Sequence, residues 1–157
     1  MKTVYALGYF ECVHKGHKAV LRQTVKLAKK LKATSGCFSY TIEQGETVRP
    51  DRLISKFAPE ERAILIQLCG IKTVYLPRFS SIKNLSAEEF LTMLVKDYEA
   101  AGFVCGEDYR FGKGAKGTVE TLKDYCESRN IEYKIVKTVY DGKTKISSKN
   151  VKKKTQE

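Results

Sequence analysis

The sequence has no hydrophobic run approaching the roughly 18–20 residues that cross a bilayer, which excludes a membrane-spanning helix as its organising element. The opening stretch, MKTVYALGYFECVHKGH, reaches charge and histidine too early for a secretory leader, so the expected location is the cytoplasm. Cysteine is present without any C-x-x-C spacing. Cys12, Cys37, Cys69, Cys105 and Cys126 are far apart and odd in number, which argues against a zinc cluster or a disulfide framework and predicts reduced, mostly buried thiols. Acidic residues are scarce, 18 against 29 lysines and arginines, and the net charge of +11 favours anionic partners. The lysines are spread along helix faces, and the only dense run is Lys152-Lys153-Lys154, so a solvated surface is the expectation and a nucleic-acid partner is not.

What remains is enough for one globular domain. The 157 residues are 42% hydrophobic and 30% charged, sufficient apolar material for a single core. Residues 3–10, TVYALGYF, are β-branched and aromatic with few polar positions, as in a strand buried on both faces of a parallel sheet. From Gly16 the period changes to 3.6, with Val20, Leu21, Thr24, Val25, Leu27, Ala28 and Leu31 on one stripe and Arg22, Lys26, Lys29 and Lys30 opposite. The alternation continues with a strand over 34–40, a polar linker over 43–49, and a helix from Pro59 to Cys69 that Gly70 ends. A strand follows over 71–76, then a capping box Ser86-Ala87-Glu88-Glu89 opening a helix to about Ala100. A short strand over 103–105, a glycine-rich loop over 106–117, a helix from Thr118 to about Arg129 and a strand over 131–139 lead to the Asp141-Gly142 turn. Residues 147–152 could start a last short helix. This order predicts a Rossmann-like, doubly wound, mostly parallel sheet of about five strands with helices on both faces and ligands at the carboxyl ends of the strands.

Histidine occurs only twice, and both copies lie in His14-Lys15-Gly16-His17, where the first strand passes into the first helix. A helix N-terminus there offers unpaired N–H groups and positive potential, and Gly16 presents no side chain to block a phosphate. His14 and His17 can then donate to phosphate oxygens. The plainer alternative is a surface histidine followed by a helix-capping one; the strand-turn-helix setting weighs against it. Two histidines at this spacing without a placed carboxylate make a poor zinc site. A second glycine pattern, Gly112-Lys113-Gly114-Ala115-Lys116-Gly117, has the G-x-G-x-x-G spacing but does not follow the first strand, so it is read as a flexible anion-contacting loop and not as a dinucleotide fingerprint.

The segment YFECVHKGH resembles the first motif of bacterial flavin-nucleotide synthases, in their FMN adenylyltransferase module. Three further segments resemble that family in the same order: Tyr75-Leu76-Pro77 through Leu85–Leu91, Gly106-Glu107-Asp108-Tyr109-Arg110-Phe111-Gly112-Lys113-Gly114, and Lys145-Ile146-Ser147-Ser148. The resemblance implies a nucleotidyltransferase domain over 1–152 with a basic tail over 153–157. It implies magnesium-dependent transfer of AMP from ATP to FMN, giving FAD and pyrophosphate. By the same resemblance His14, His17 and Lys152 are catalytic. Gly8, Phe10, Glu11, Gly16, Gly106, Asp108, Arg110, Ile146, Ser147 and Ser148 face ATP, and Pro77, Phe79, Phe111, Gly112 and Lys113 face the flavin. Ser147 and Ser148 read equally well as a helix cap. Metal ligands are not indicated.

The sequence departs from the family pattern at named positions. Glu11 and Cys12 stand where the family has aspartate and glycine, and Lys152 replaces an arginine, keeping charge but losing the bidentate fork. Phe38-Ser39-Tyr40-Thr41-Ile42 replaces a proline-histidine-proline segment. The riboflavin kinase barrel of the bifunctional enzymes does not follow, and the initial methionine and polar tail favour a complete chain whose FMN comes from a separate kinase. Two alternatives stand beside this reading: the same chemistry on pantetheine phosphate, nicotinamide mononucleotide or glycerol phosphate, and a non-catalytic binder of flavin or nucleotide.

Overall fold

The computed structural model describes residues 2–10, 15–42, 58–137, 139–141 and 144–146. Its centre is a five-stranded parallel sheet of β1 (Thr3–Leu7), β2 (Thr34–Phe38), β3 (Thr73–Tyr75), β4 (Ala100–Gly106) and β5 (Glu132–Val136), in the order β3-β2-β1-β4-β5. The chain builds outward from β1 through β2 to β3, then crosses back to place β4 and β5 on the other side. The reversal of order falls between β1 and β4, which is where a doubly wound sheet opens a crevice at its carboxyl edge. A separate antiparallel pair, β6 (Val139–Asp141) and β7 (Thr144–Ile146), follows. The single strand expected over 131–139 therefore stops at Val136.

Alternation along the strands sends two sets of side chains to opposite faces. Tyr5 is in register with Gly36 and Phe103, and Leu7 with Phe38 and Cys105; these pack with Phe90, Leu91, Leu94 and Leu122 of helices α4 (Ala87–Asp97) and α5 (Val119–Ser128). Ala6 is in register with Cys37 and Val104, and these pack with Val20, Leu21, Ala28 and Ile66 of α1 (Lys15–Lys30) and α2 (Pro59–Gln67). A short helix α3 (Phe79–Ile82), not anticipated from the sequence, precedes α4. The expected α1 stripe is the buried one: Val20, Leu21, Thr24 and Ala28 are buried, with Val25, Leu27 and Leu31 packed beside them. Thr24 is tolerated inside because its hydroxyl donates to the Val20 carbonyl at 2.8 Å.

The helix starts follow their capping chemistry. Ser86 accepts from the Glu89 N–H at 3.0 Å and donates its own N–H to the Glu89 carboxylate at 2.9 Å, the reciprocal pair read in the sequence. Those bonds to Ser86 hold the Glu89 carboxyl below its ordinary range. Pro59 sits in the first turn of α2, and Gly70, at φ +99°, ends the turn that follows it. Several elements are shorter than expected, β2 ending at Phe38, β3 spanning Thr73–Tyr75 and α2 ending at Gln67, and two further boundaries differ for a conformational reason. Helix α4 ends at Asp97, because Glu99 adopts φ +52°, so β4 already begins at Ala100. Strand β1 ends at Leu7, and Phe10, at φ +52°, leaves the extended conformation.

Candidate functional site

At the end of β1 the chain folds tightly before α1. Phe10 is buried and left-handed, a conformation that costs a residue with a side chain about 1–2 kcal/mol. Its ring lies so close over Gly8 that a Cβ there would come within 3.0 Å of it, and its other side meets His17 edge-on with centroids 5.0 Å apart. His17 and Gly16 stand in the first turn of α1, which carries no acidic residue. The positive end of that helix is therefore not neutralised from within, and an anion is the natural complement.

The second element is a cleft of about 370 Å³. Its walls are aromatic, formed by Tyr40, Phe79, Phe90, Tyr109 and Phe111, and its polar groups are Arg110, Lys113, Lys83 and Asn84. Volume and lining match a small-molecule site, apolar with a few oriented polar groups. The aromatic wall continues the core: Phe38 meets Phe90 at 5.8 Å, Phe90 meets Phe111 at 5.9 Å, and Phe111 stacks on Tyr109 at 5.3 Å. Tyr40 and Phe79 form the facing pair at 5.0 Å. They are held there because the chain beyond β2 and the segment before α3 bond to each other, Thr41 N–H to the Pro77 carbonyl and Phe79 N–H to the Thr41 carbonyl, both at 2.8 Å.

The glycine-rich loop is pinned, contrary to the flexible loop expected. Phe111 and Gly117 exchange backbone bonds at 3.1 and 2.8 Å, Lys113 N–H donates to the Leu85 carbonyl at 2.7 Å, and Arg110 Nε donates to the Ala115 carbonyl at 3.1 Å. Gly112, at φ +79°, lies so near the start of α4 that a Cβ would fall 2.7 Å from the Ala87 nitrogen. Composition suggested a loose loop; its backbone bonds and close approach to α4 tie it to the fold.

Between the two elements stands Arg62, 1% exposed. It donates to the Tyr9 carbonyl at 2.6 Å and the Tyr40 carbonyl at 2.5 Å, and its guanidinium lies over the Tyr9 ring at 4.8 Å. Tyr9 and Tyr40 stack at 4.8 Å, and Ser39 Oγ also donates to the Tyr9 carbonyl at 2.6 Å. Burial pushes the nearby Cys37 thiol up to about 12, with Arg62 drawing it the other way.

The residues singled out from sequence thus fall into two groups. Gly8, Phe10, Gly16 and His17 meet at the end of β1, Phe10 as buried support for His17. Phe79, Phe111, Gly112 and Lys113 line one cleft, and Arg110, which the resemblance set on the nucleotide side, lines it with them. Pro77 is not part of the lining, and its carbonyl accepts from Thr41 N–H. Gly106 closes β4, its carbonyl accepting from Tyr109 N–H at 3.1 Å, and exposed Asp108 lies within that turn, outside the lining. Ile146 ends β7. Glu11, Cys12, His14, Ser147, Ser148 and Lys152 lie outside the described residues. Sequence reasoning missed Tyr40, Tyr109 and Arg62 as site residues. The replaced proline-histidine-proline segment was the available signal for Tyr40; nothing local marked Arg62.

Among the described residues no helix is long and apolar enough to cross a membrane, and no three His, Cys, Asp or Glu side chains gather as a metal cage.

A family model described as FAD synthetase matches residues 1–150. A bifunctional riboflavin kinase/FMN adenylyltransferase of Listeria monocytogenes is 27% identical over 156 residues, covering 98% of this chain and 49% of that protein. A FAD synthetase of the same organism is 27% identical over 96% of this chain and 62% of its own length. The chain therefore spans roughly half to three-fifths of these relatives. Among solved structures, one titled as a macrolide-efflux protein from Streptococcus pneumoniae superposes with a TM-score of 0.81 at 33% identity, over 97% of this chain and 50% of that one. A match that runs almost from end to end, through every strand of the sheet, is more than a shared phosphate motif: the chain belongs to the FAD synthetase family of nucleotidyltransferases.

Proposed function

We propose that the chain is an FMN adenylyltransferase. A phosphate oxygen of FMN forms a bond to the α-phosphorus of ATP, the bond from that phosphorus to the β-phosphate bridge breaks, and its electron pair leaves with pyrophosphate. The observation that carries this reading is the aromatic cleft at the carboxyl edge of the sheet, beside a helix N-terminus bearing Gly16 and His17. A planar ring system suits the first element and a polyphosphate suits the second.

No nucleophile of the protein is required. His17, with His14, donates to phosphate oxygens as charge builds on them, and Ser147, Ser148 and Lys152 serve the same polyphosphate from the second motif. Gly8, Phe10, Glu11, Gly106 and Asp108 border the nucleotide. Phe79, Phe111, Gly112 and Lys113 hold the flavin, and we add Tyr40, Tyr109 and Arg110 to that set. The described residues offer no cage for a resident cation, so magnesium fits as part of the ATP substrate, held chiefly by phosphates. It neutralises the polyphosphate there. The +11 charge draws both anionic substrates in. A riboflavin kinase, in a further module or a separate protein, supplies FMN, and a cytoplasmic location suits these soluble substrates.

The test is incubation of the protein with magnesium, ATP and FMN, following FAD by chromatography and pyrophosphate by a coupled assay. Stoichiometric FAD and pyrophosphate are expected. FMN binding without product favours a non-catalytic binder; no binding of any flavin overturns the acceptor and turns the search to other phosphorylated acceptors.

A further inference from the structure

Helix α2 faces the sheet in an unexpected orientation. Its two buried residues are Arg62 and Ile66, while Ile64 and the capping Leu68 just past its end are 57% and 78% exposed. A helix packed for burial alone would turn its aliphatic residues inward and leave the arginine in water. Here the guanidinium occupies the interior place, so its contacts there compensate for forgone apolar burial and for its own desolvation.

Those contacts join the two halves of the site. One N–H group of Arg62 holds the Tyr9 carbonyl, one residue before the left-handed Phe10 on which His17 rests. Another holds the carbonyl of Tyr40, whose ring forms one wall of the aromatic cleft. The guanidinium is a rigid planar fork, so it fixes the separation of the two carbonyls as a flexible ammonium would not. Its position over the Tyr9 ring and the Tyr9–Tyr40 stack resist rotation of the same two strand ends.

We propose that Arg62 is the positioning residue that sets the spacing between the phosphate-binding turn and the acceptor cleft, an inference that rests on the adenylyl-transfer reading above. In-line transfer requires the attacking oxygen near van der Waals contact with phosphorus, and displacement of about 1 Å can cost about 10²-fold in rate. Each half binds its own ligand through other groups. Loss of the fork therefore acts on the chemical step more than on either binding step.

The experiment compares wild type with Arg62→Lys, Arg62→Gln and Ser39→Ala in the whole chain. FMN and ATP dissociation constants are measured separately by titration, with kcat per folded molecule and the melting temperature. Arg62→Lys and Arg62→Gln are expected to lower kcat about 10- to 100-fold while each dissociation constant moves by less than about threefold. Ser39→Ala, which removes the other donor to the Tyr9 carbonyl and leaves Arg62 in place, is expected to lose less than about fivefold. Guanidinium ion at millimolar concentration should restore part of the lost rate in Arg62→Gln, and methylammonium should not. Unchanged kcat per folded molecule in Arg62→Lys, or loss of one ligand's affinity alone, overturns the proposal. If Arg62→Gln does not fold, Arg62→Lys, which keeps the charge and loses only the planar fork, decides by the same split between kcat and binding. Absence of FAD from wild type itself overturns the adenylyltransferase reading, a different result from FAD made equally by wild type and variant.

Discussion

The two faces of the sheet are packed by different kinds of residue, although both grow from the same strands. One face carries Tyr5, Phe38, Phe90, Phe103 and Phe111; the other carries Val4, Ala6, Cys37 and Val104 beneath α1 and α2. On the first face core and cleft are continuous, since ring contacts pass from Tyr5 to Phe38, Phe90 and Phe111 without a change of material. On the second the small side chains let α1 lie close to the strands, and the proposed phosphate site is made of backbone and one described histidine at the helix end. An aromatic acceptor pocket can be an extension of a hydrophobic core. A phosphate site needs close packing behind it and little side chain in front.

Substitutions at neighbouring positions can break this comparison. The largest difference in stability is expected at Phe38 and Cys37, adjacent in β2 but on opposite faces. Phe38→Ala should cost roughly 3–5 kcal/mol and weaken flavin binding through Phe90, whereas Cys37→Ala should cost about 1 kcal/mol; urea unfolding of both reads the contrast. Equal losses would mean that the faces are mechanically equivalent.

His17→Ala reverses the ranking. It should lower turnover roughly 10²–10³-fold, about 2.7–4 kcal/mol in the barrier, while melting changes little. Steady-state kinetics with ATP and FMN alongside a melting curve measures both, and an equal fall in stability would make this histidine structural.

Alkaline pH probes both faces together. Burial raises the Cys37 and Cys105 thiols to about 12 from an ordinary value of 9.0, and lifts the Tyr5 phenol to about 12 from 10.0. The folded state binds these protons more tightly, so their stabilisation is complete below pH 9 and is lost as pH rises towards 12. Each of the two thiols should contribute a slope of about 1.4 kcal/mol per pH unit across that window, seen as a falling urea midpoint and reduced in Cys37→Ala and Cys105→Ala.

The smallest effect sharpens the aromatic side alone. Ser86→Ala removes the cap of α4, against which the Gly112 loop rests, and should cost about 1 kcal/mol. Hydrogen exchange would locate the loss at the start of α4 and in residues 111–117.

Much of this arrangement was legible. The stripe on α1, the Ser86 box and the run of β1 follow local periodicity and capping, and their alternation implied the parallel sheet. The cleft was half legible: Phe79, Phe111, Gly112 and Lys113 came through resemblance, while Tyr40 stood where the family pattern was broken. What could not be read locally depends on tertiary contact. Ile64 and Leu68 look like the inward face of α2, yet Arg62 takes that place because two distant carbonyls need it. The loop over 111–117 looks mobile from its glycines, yet those glycines permit its docking on Ala87. The end of α4 was misplaced because Glu99 carries none of the usual marks of a left-handed residue.

The turn at Gly8 and Phe10 has a consequence for how substitutions there combine. An added methyl group at position 8 meets the Phe10 ring at 3.0–3.3 Å, and a smaller residue at position 10 removes the edge on which His17 rests. A side chain at position 8 has to displace the same ring that supports His17, so the two positions are mechanically coupled. Substitutions at the two positions are therefore expected to be non-additive, which a double-mutant cycle of Gly8→Ala and Phe10→Leu would read.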